Sequence, residues 1–293
     1  MKKITFYSLI IILSFTFSHG LADNGEIGAQ FLKIGVSPRA SGMGETTVAV
    51  VDNPFALTIN PAGLTALKGK QFVLSHRFWL QEMSHDYLAA AIIKPWGTVG
   101  FGLVYSSSGN IPGYENFLYT KDYSATDLAL QLGYGKMLGA RLSLGVTGMF
   151  LSQKIEEESA SGMALTLGGR YRLGEHSSLG LTVRNIGGEM KFIEQGDPLP
   201  TTFEIGGARL LKFGEHSLLL AASMQKVVKE EVNFQVGSEF LFRNLLALRA
   251  GYRSRYSFSA GFGLLWRNMR FDYGYAPYSD LTDTHHFGVS LAF

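Results

Sequence analysis

From residue 70 onward, large apolar side chains alternate with small or polar ones over stretches of about ten residues. The alternation is plainest at Val99, Phe101, Leu103 and Tyr105, and at Leu128, Leu130, Leu132 and Tyr134. It recurs at Val232, Phe234, Val236, Phe240 and Phe242, and at Phe258, Phe262, Leu264 and Trp266. Successive side chains of a strand point to opposite faces, so each run presents one apolar face. The pattern predicts about fourteen strands, at 70–79, 85–94, 97–107, 123–135, 141–153, 161–173, 177–186, 201–211, 217–226, 231–242, 245–253, 256–266, 268–276 and 284–293. Many lie near the roughly 9–11 residues that cross a bilayer at a tilt.

The links between these runs alternate as well. Short turns fall at 95–97, 137–140, 174–176, 214–216, 243–244 and 267–268; longer or more polar links fall at 108–122, 154–160, 187–200, 227–230 and 277–283. Short turns on one side and longer loops on the other are the habit of outer-membrane barrels, and both ends on the short-turn side imply an even strand count. The final run places Phe287, Val289, Leu291 and Phe293 on one face, as a closing strand would. A soluble β-sandwich or lipocalin-like barrel also alternates. Against it stand outward faces that are apolar along nearly their full length, and Tyr and Trp at strand ends: Trp79, Trp96, Tyr105, Tyr134, Trp266, Tyr275 and Tyr278. Closure also removes the unpaired edge that lipid cannot satisfy. The expected fold is all-β: a transmembrane antiparallel barrel of about fourteen strands over residues 70–293.

Residues 1–22 read as a secretory signal. Lys2 and Lys3 precede an apolar run from Ile4 to Phe17, and Gly20-Leu21-Ala22 supplies small residues for cleavage. An uncleaved anchor needs about 20 apolar residues, more than this run holds. The chain has no Cys, which excludes a lipid-modified cysteine, disulfides and thiolate chemistry. Without Lys2 and Lys3 the chain carries 24 basic and 24 acidic residues, which lacks the basic footprint of nucleic-acid binding.

Residues 23–69 differ from the rest. They are rich in Gly, Ala and Thr and show no sustained alternation. At Asn60-Pro61-Ala62-Gly63-Leu64 a helix starts, with Asn60 as cap and Pro61 at the first helical position, running a turn or two to Leu67. A barrel of about fourteen strands is wide enough to need filling. This segment is therefore expected to be an N-terminal plug or hatch rather than a loose tail.

The stretch 28–64 (GAQFLKIGVSPRASGMGETTVAVVDNPFALTINPAGL) resembles the N-terminal signature of PorV/PorQ-type outer-membrane proteins, and within it Gly42, Gly44, Asp52, Asn60, Pro61 and Gly63 mark the plug motif. Residues 183–208 (VRNIGGEMKFIEQGDPLPTTFEIGGA) and 271–293 (FDYGYAPYSDLTDTHHFGVSLAF) resemble the same family, so the similarity spans nearly the whole chain after the signal. That family is similar in turn to FadL-type barrels, which implies fourteen strands and an N-terminal hatch. The resemblance implies a component of type IX protein secretion: a shuttle that binds exported cargo, or part of the cell-surface attachment machinery. The chain departs from the family in having modest loops.

No catalytic or metal constellation rises above background, so no enzyme, metal or cofactor is expected. Gly42-Met43-Gly44 lacks the strand-loop-helix unit of a nucleotide fold. Ser84 and His85 are only neighbours in sequence, with nothing to orient them. His285 and His286, adjacent in a strand, point to opposite faces and read as interfacial. Glu156-Glu157-Glu158, Asp280 and Asp283 read as solvated loop acids. If Phe293 points outward, then Arg184, Glu204, Glu239, Arg249, Arg270, Asp272 and His286 face the lumen, where both signs of charge allow internal ion pairs or a polar conduit.

Two functions follow. The favoured one is protein binding through the loop at 108–122, where Ile111, Tyr114, Phe117, Leu118 and Tyr119 are apolar at positions that should be wet. The alternative is a FadL-like passage for a hydrophobic small molecule, which predicts an apolar cavity from the loops to the hatch. The expected partners are outer-membrane lipid, secreted cargo or secretion components, or a hydrophobic ligand in the lumen.

Overall fold

The computed structural model describes residues 27–79, 82–115, 117–192, 196–254, 257–278 and 282–293; the signal expected at 1–22 and the loop acid Asp280 lie outside the described residues. In chain order the strands are β1 (Gln71–Phe78), β2 (Ser84–Lys94), β3 (Gly97–Ser107), β4 (Ile111–Glu115), β5 (Leu118–Tyr123), β6 (Ala125–Leu138), β7 (Leu142–Ile155), β8 (Glu158–Arg172) and β9 (Ser177–Gly187). They continue as β10 (Glu189–Lys191), β11 (Gly196–Pro198), β12 (Thr202–Phe213), β13 (His216–Val227), β14 (Val232–Phe242), β15 (Leu246–Arg253), β16 (Ser257–Trp266), β17 (Met269–Tyr278) and β18 (Thr282–Ala292). Fourteen of them close into a barrel; β4–β5 and β10–β11 are two-stranded hairpins set outside its ladder.

Every barrel pair is antiparallel, and the first strand closes on the last, from Gln71 opposite Ala292 to Phe78 opposite His285. The ladder therefore has no open edge, and every strand finds its main-chain partners inside the sheet. Outward positions carry large side chains left exposed, among them Leu132, Met163, Phe203, Phe234 and Phe258. A continuous apolar belt of this kind suits contact with lipid. Trp96, stacked on Tyr134, and Trp266 are exposed at the end of the barrel that also carries the C-terminus.

Two links and one aromatic residue differ from the sequence reading. Residues 108–122 are not an open loop, because β4 and β5 pair there, with Tyr114 opposite Tyr119. The link at 154–160 shrinks to a two-residue turn at Glu156-Glu157, since Ile155 pairs with Glu158 and Glu156 takes the left-handed conformation, φ 54°. A run of three acids looked like a loop, yet strand side chains alternate, so the ladder carries Glu158 without conflict. Trp79 is the third correction. The Arg77 guanidinium lies 4.8 Å from its ring centre, and Trp79 lines the barrel mouth rather than a lipid-facing girdle. The side chain of Tyr278 lies outside the described residues.

Residues 27–69 lie against the inner wall. They form short helical turns at Gln30–Lys33 and Pro61–Ala66, of 3-10 type, and two α-helical turns, α1 (Pro38–Gly42) and α2 (Ala56–Ile59). The Ser37 side chain caps α1 by accepting from Ala40 N at 3.3 Å, and Asn60 Oδ1 accepts from Ala62 N at 3.2 Å at the start of the second 3-10 turn. Turns this short are not stable alone and rest on their packing. Phe55, Leu57 and Leu64 are fully buried in one apolar cluster with Tyr87, Val104 and Leu151 of the wall. Each such side chain contributes about 1.5–3 kcal/mol on burial.

Candidate functional site

The inner wall is shaped to receive this segment. Inward positions of most barrel strands are glycine where the segment presses closest. A Cβ at Gly100 would meet Leu57 at 3.3 Å, one at Gly135 would meet Leu64 at 2.9 Å, and one at Gly274 would meet the Pro38 carbonyl at 2.5 Å. At Gly145 and Gly168 it would collide with Pro61, at Gly180 with Val48, and at Gly237 and Gly251 with Met43. These glycines serve close backbone approach.

The motif residues are spread around this seat. Gly42 lies on Gly261 of β16. Gly44 is in the left-handed conformation, φ 65°, against the Tyr252 backbone, and donates its N–H to Ser259 Oγ at 3.0 Å. Asn60 is fully buried and donates to the carbonyls of Val48 at 2.8 Å and Gly169 at 3.1 Å. Gly63 sits against Val51 within the segment. Asp52 is half exposed and accepts from Arg39 Nη1 at 3.2 Å.

Arg39 begins an ion network with the wall. It reaches Glu239 of β14 through Nε at 3.0 Å and Nη2 at 2.7 Å. Glu239 also accepts from Arg249 at 2.7 Å and Arg270 at 2.9 Å, and Asp272 accepts from the same two arginines at 2.6 and 3.0 Å. Five buried or nearly buried charges therefore satisfy one another, which a low-dielectric interior requires. Arg184 and Glu204 form a separate pair at 3.0 Å, closer to the mouth that carries the hairpins. His286 is fully buried on the inner face, the side its alternation with Phe293 assigns, so of the pair only His285 is interfacial; it faces outward and contacts the Tyr273 hydroxyl at 2.8 Å. His85 points inward with Nδ1 2.6 Å from Ser106 Oγ, and Ser84 lies on the opposite face.

Two cavities flank residues 31–36. A vestibule of about 480 Å³ opens toward the hairpin end, walled by Phe31, Ile34, Trp79, Met83, Phe192 and Val227 together with Asp127, Gln153, Gln225 and Asn233. Beneath the same strap lies a chamber of about 80 Å³, walled by Val36, Ile59, Val104 and Met149 together with Gln131, Arg184, Asn185 and Glu204. Beyond them, α1, α2 and residues 61–66 meet the wall directly. The lumen is thus open at one end and blocked at the other.

The apolar hairpin is separate from both cavities. Tyr114, Phe117, Leu118 and Tyr119 are exposed, Phe117 entirely so and at positive φ, 65°, while Ile111 is half-buried. Lys121 of the same hairpin is bound to Glu156 at 2.9 Å, which raises its pKa. Asp283 is exposed at the start of β18.

Arg39, Arg77, Gln225 and the vestibule residues other than Trp79 were not singled out from the sequence. Arg39 was legible as one of three basic residues, with Lys33 and Lys68, in the Gly-, Ala- and Thr-rich segment 23–69. Gln225 is an isolated amide on the inward face of β13.

No family profile matches the chain, and no curated protein matches it in sequence. Solved structures do match in fold. The toluene transporter TbuX of Ralstonia pickettii is 15% identical, with a TM-score of 0.64 over 88% of this chain and 98% of that one. The CymD monoaromatic hydrocarbon channel is 12% identical, with a TM-score of 0.65 over 92% and 99%. A FadL homologue of Pseudomonas aeruginosa is 9% identical, with a TM-score of 0.55 over 87% and 97%. The fold is that of a FadL-like outer-membrane barrel. At these identities the likeness concerns the fold.

Proposed function

We propose that the protein is a non-catalytic outer-membrane channel that admits a small, largely apolar molecule from the external side, with residues 23–69 as its plug. The observation that carries this reading is the vestibule of about 480 Å³ ending on the strap at 31–36, with a second chamber below it. Cavities of roughly 300–1,000 Å³ suit small ligands. The structural neighbours support it, being a toluene transporter and a monoaromatic hydrocarbon channel by their own descriptions. Entry from the hairpin end makes that end external and puts the C-terminus and short turns on the periplasmic side. The lining is more mixed in polarity than the purely apolar cavity the sequence reading expected.

The test is uptake of labelled toluene into vesicles whose outer leaflet is lipopolysaccharide, since ordinary phospholipid leaks apolar solutes. Protein-loaded vesicles should fill faster than empty ones. Equal rates would remove the transport reading.

The PorV/PorQ-type role in secretion stands as the second reading. One observation favours it: the β4–β5 hairpin holds up four exposed large apolar side chains with no partner in the barrel. The fold neighbours give it no specific support.

A further inference from the structure

The walls of the two cavities carry more hydrogen-bonding groups than a hydrocarbon can use. In the chamber, Glu204 Oε1, Arg184 Nε and His85 Nε2 are buried with no hydrogen-bond partner, and Glu204 and His85 are only 2% and 1% exposed. Leaving such groups unmet is costly, so a solute that satisfies them is favoured over one that cannot. Gln225 lines the vestibule and the chamber alike, and its Oε1 is reached by Gln235 Nε2 only at a long 3.5 Å.

The charges argue against an ionic ligand. Lys33 is paired with Glu230 at 2.7 Å and Arg184 with Glu204 at 3.0 Å, and Arg77 lies 4.0 Å from Glu45. Acids and bases thus neutralise each other in these three pairs, while the Asp127 carboxylate of the vestibule is held by the Gln153 amide at 2.7 Å. A charged solute would lose its hydration and find no unpaired counter-charge among these pairs. Size divides the labour between the cavities. A cavity of about 150 Å³ holds benzene, so a chamber of about 80 Å³ excludes a ring but admits a polar head. The vestibule has room for the ring, beside Phe31, Ile34, Trp79 and Phe192.

We propose that this path selects a small uncharged solute joining an apolar ring or short chain to at least one hydroxyl or amide group, in preference to a bare hydrocarbon. This rests on the channel reading and narrows its substrate class. The ring packs in the vestibule and the polar head leads toward Gln225 and the orphaned atoms below the strap.

The test is equilibrium binding to the full-length mature protein in detergent, read by ligand-observed NMR against protein-free micelles. The probes share one ring: toluene, benzyl alcohol, benzoate and benzylamine. Benzyl alcohol should bind about tenfold more tightly than toluene, the margin of one good neutral hydrogen bond, and more tightly than either ion. Gln225→Leu should erase most of that margin, whereas Phe31→Ala should weaken both ligands and keep the margin. Toluene binding as well as benzyl alcohol would overturn the polar-head proposal and leave the channel reading standing. A preference for benzoate or benzylamine would overturn its uncharged class. Binding of none of the four would overturn the proposal and remove support from the channel reading too.

Discussion

Arg39 and Glu239, 200 residues apart in sequence, meet through two hydrogen bonds of 3.0 and 2.7 Å that tie α1 to β14. The bond is two-pronged, which holds a guanidinium against a carboxylate in both position and orientation. The pair belongs to a network, and that decides what its loss would do. Without Arg39, Glu239 keeps Arg249 and Arg270. Without Glu239, three guanidiniums face one another with Asp272 between two of them. Glu239→Ala should therefore cost about 3–5 kcal/mol, as removal of one partner from a buried ion cluster does, and Arg39→Ala clearly less. Urea unfolding followed by the heat-modifiable gel shift of the barrel measures both. An equal or larger loss in Arg39→Ala would contradict the network as described.

The glycine wall makes a second prediction. Gly251 on β15 lies against Met43 and Gly44, where any Cβ would strike backbone rather than a side chain that can turn away. Gly251→Val should expel residues 38–52 from their seat while the β15 ladder still forms, valine being a good strand residue. Hydrogen exchange should rise in that segment and stay low in β14–β16. Protection unchanged at 38–52 would show that the seat tolerates the added methyl groups.

Much of the barrel was legible because its signal is periodic. Alternation at Leu128–Tyr134 and at Phe258–Trp266 fixes which face meets lipid, and the C-terminal run Phe287–Phe293 does pair with the first strand. The seat was not legible. Glycines such as Gly145, Gly168 and Gly251 occupy inward positions, yet nothing local shows what presses on them; the cause lies in Pro61 and Met43, far off in sequence. The same holds for the vestibule, whose wall takes Trp79, Phe192 and Gln225 from three separate places along the chain. The hairpin at 111–123 was missed because Pro112 and Gly113 punctuate its first strand, and both residues argue for a loop.

That hairpin stands outside the barrel ladder, so it should be dispensable for folding. Phe117→Ser combined with Tyr119→Ser should change stability by no more than about 0.5 kcal/mol, the usual range for surface positions. Toluene uptake should also be unchanged. Under the secretion reading the same double variant should lose the proteins that co-purify with the native barrel from outer membranes. Retention of those proteins would remove the hairpin as their contact.

The central claim is that the lumen is the route and residues 23–69 are its barrier. Thr65, in the second 3-10 turn, and Ser143 on β7 test it directly, because their hydroxyls already meet at 2.8 Å and neither position gains a Cβ on change to Cys. The chain has no native cysteine to interfere. The measurement is toluene uptake into lipopolysaccharide vesicles by Thr65→Cys/Ser143→Cys, oxidised and then reduced in the same sample. Uptake should stop when the bridge forms and return on reduction. Undiminished uptake with the bridge complete would contradict the account, since the segment would then be fixed while the solute still crossed.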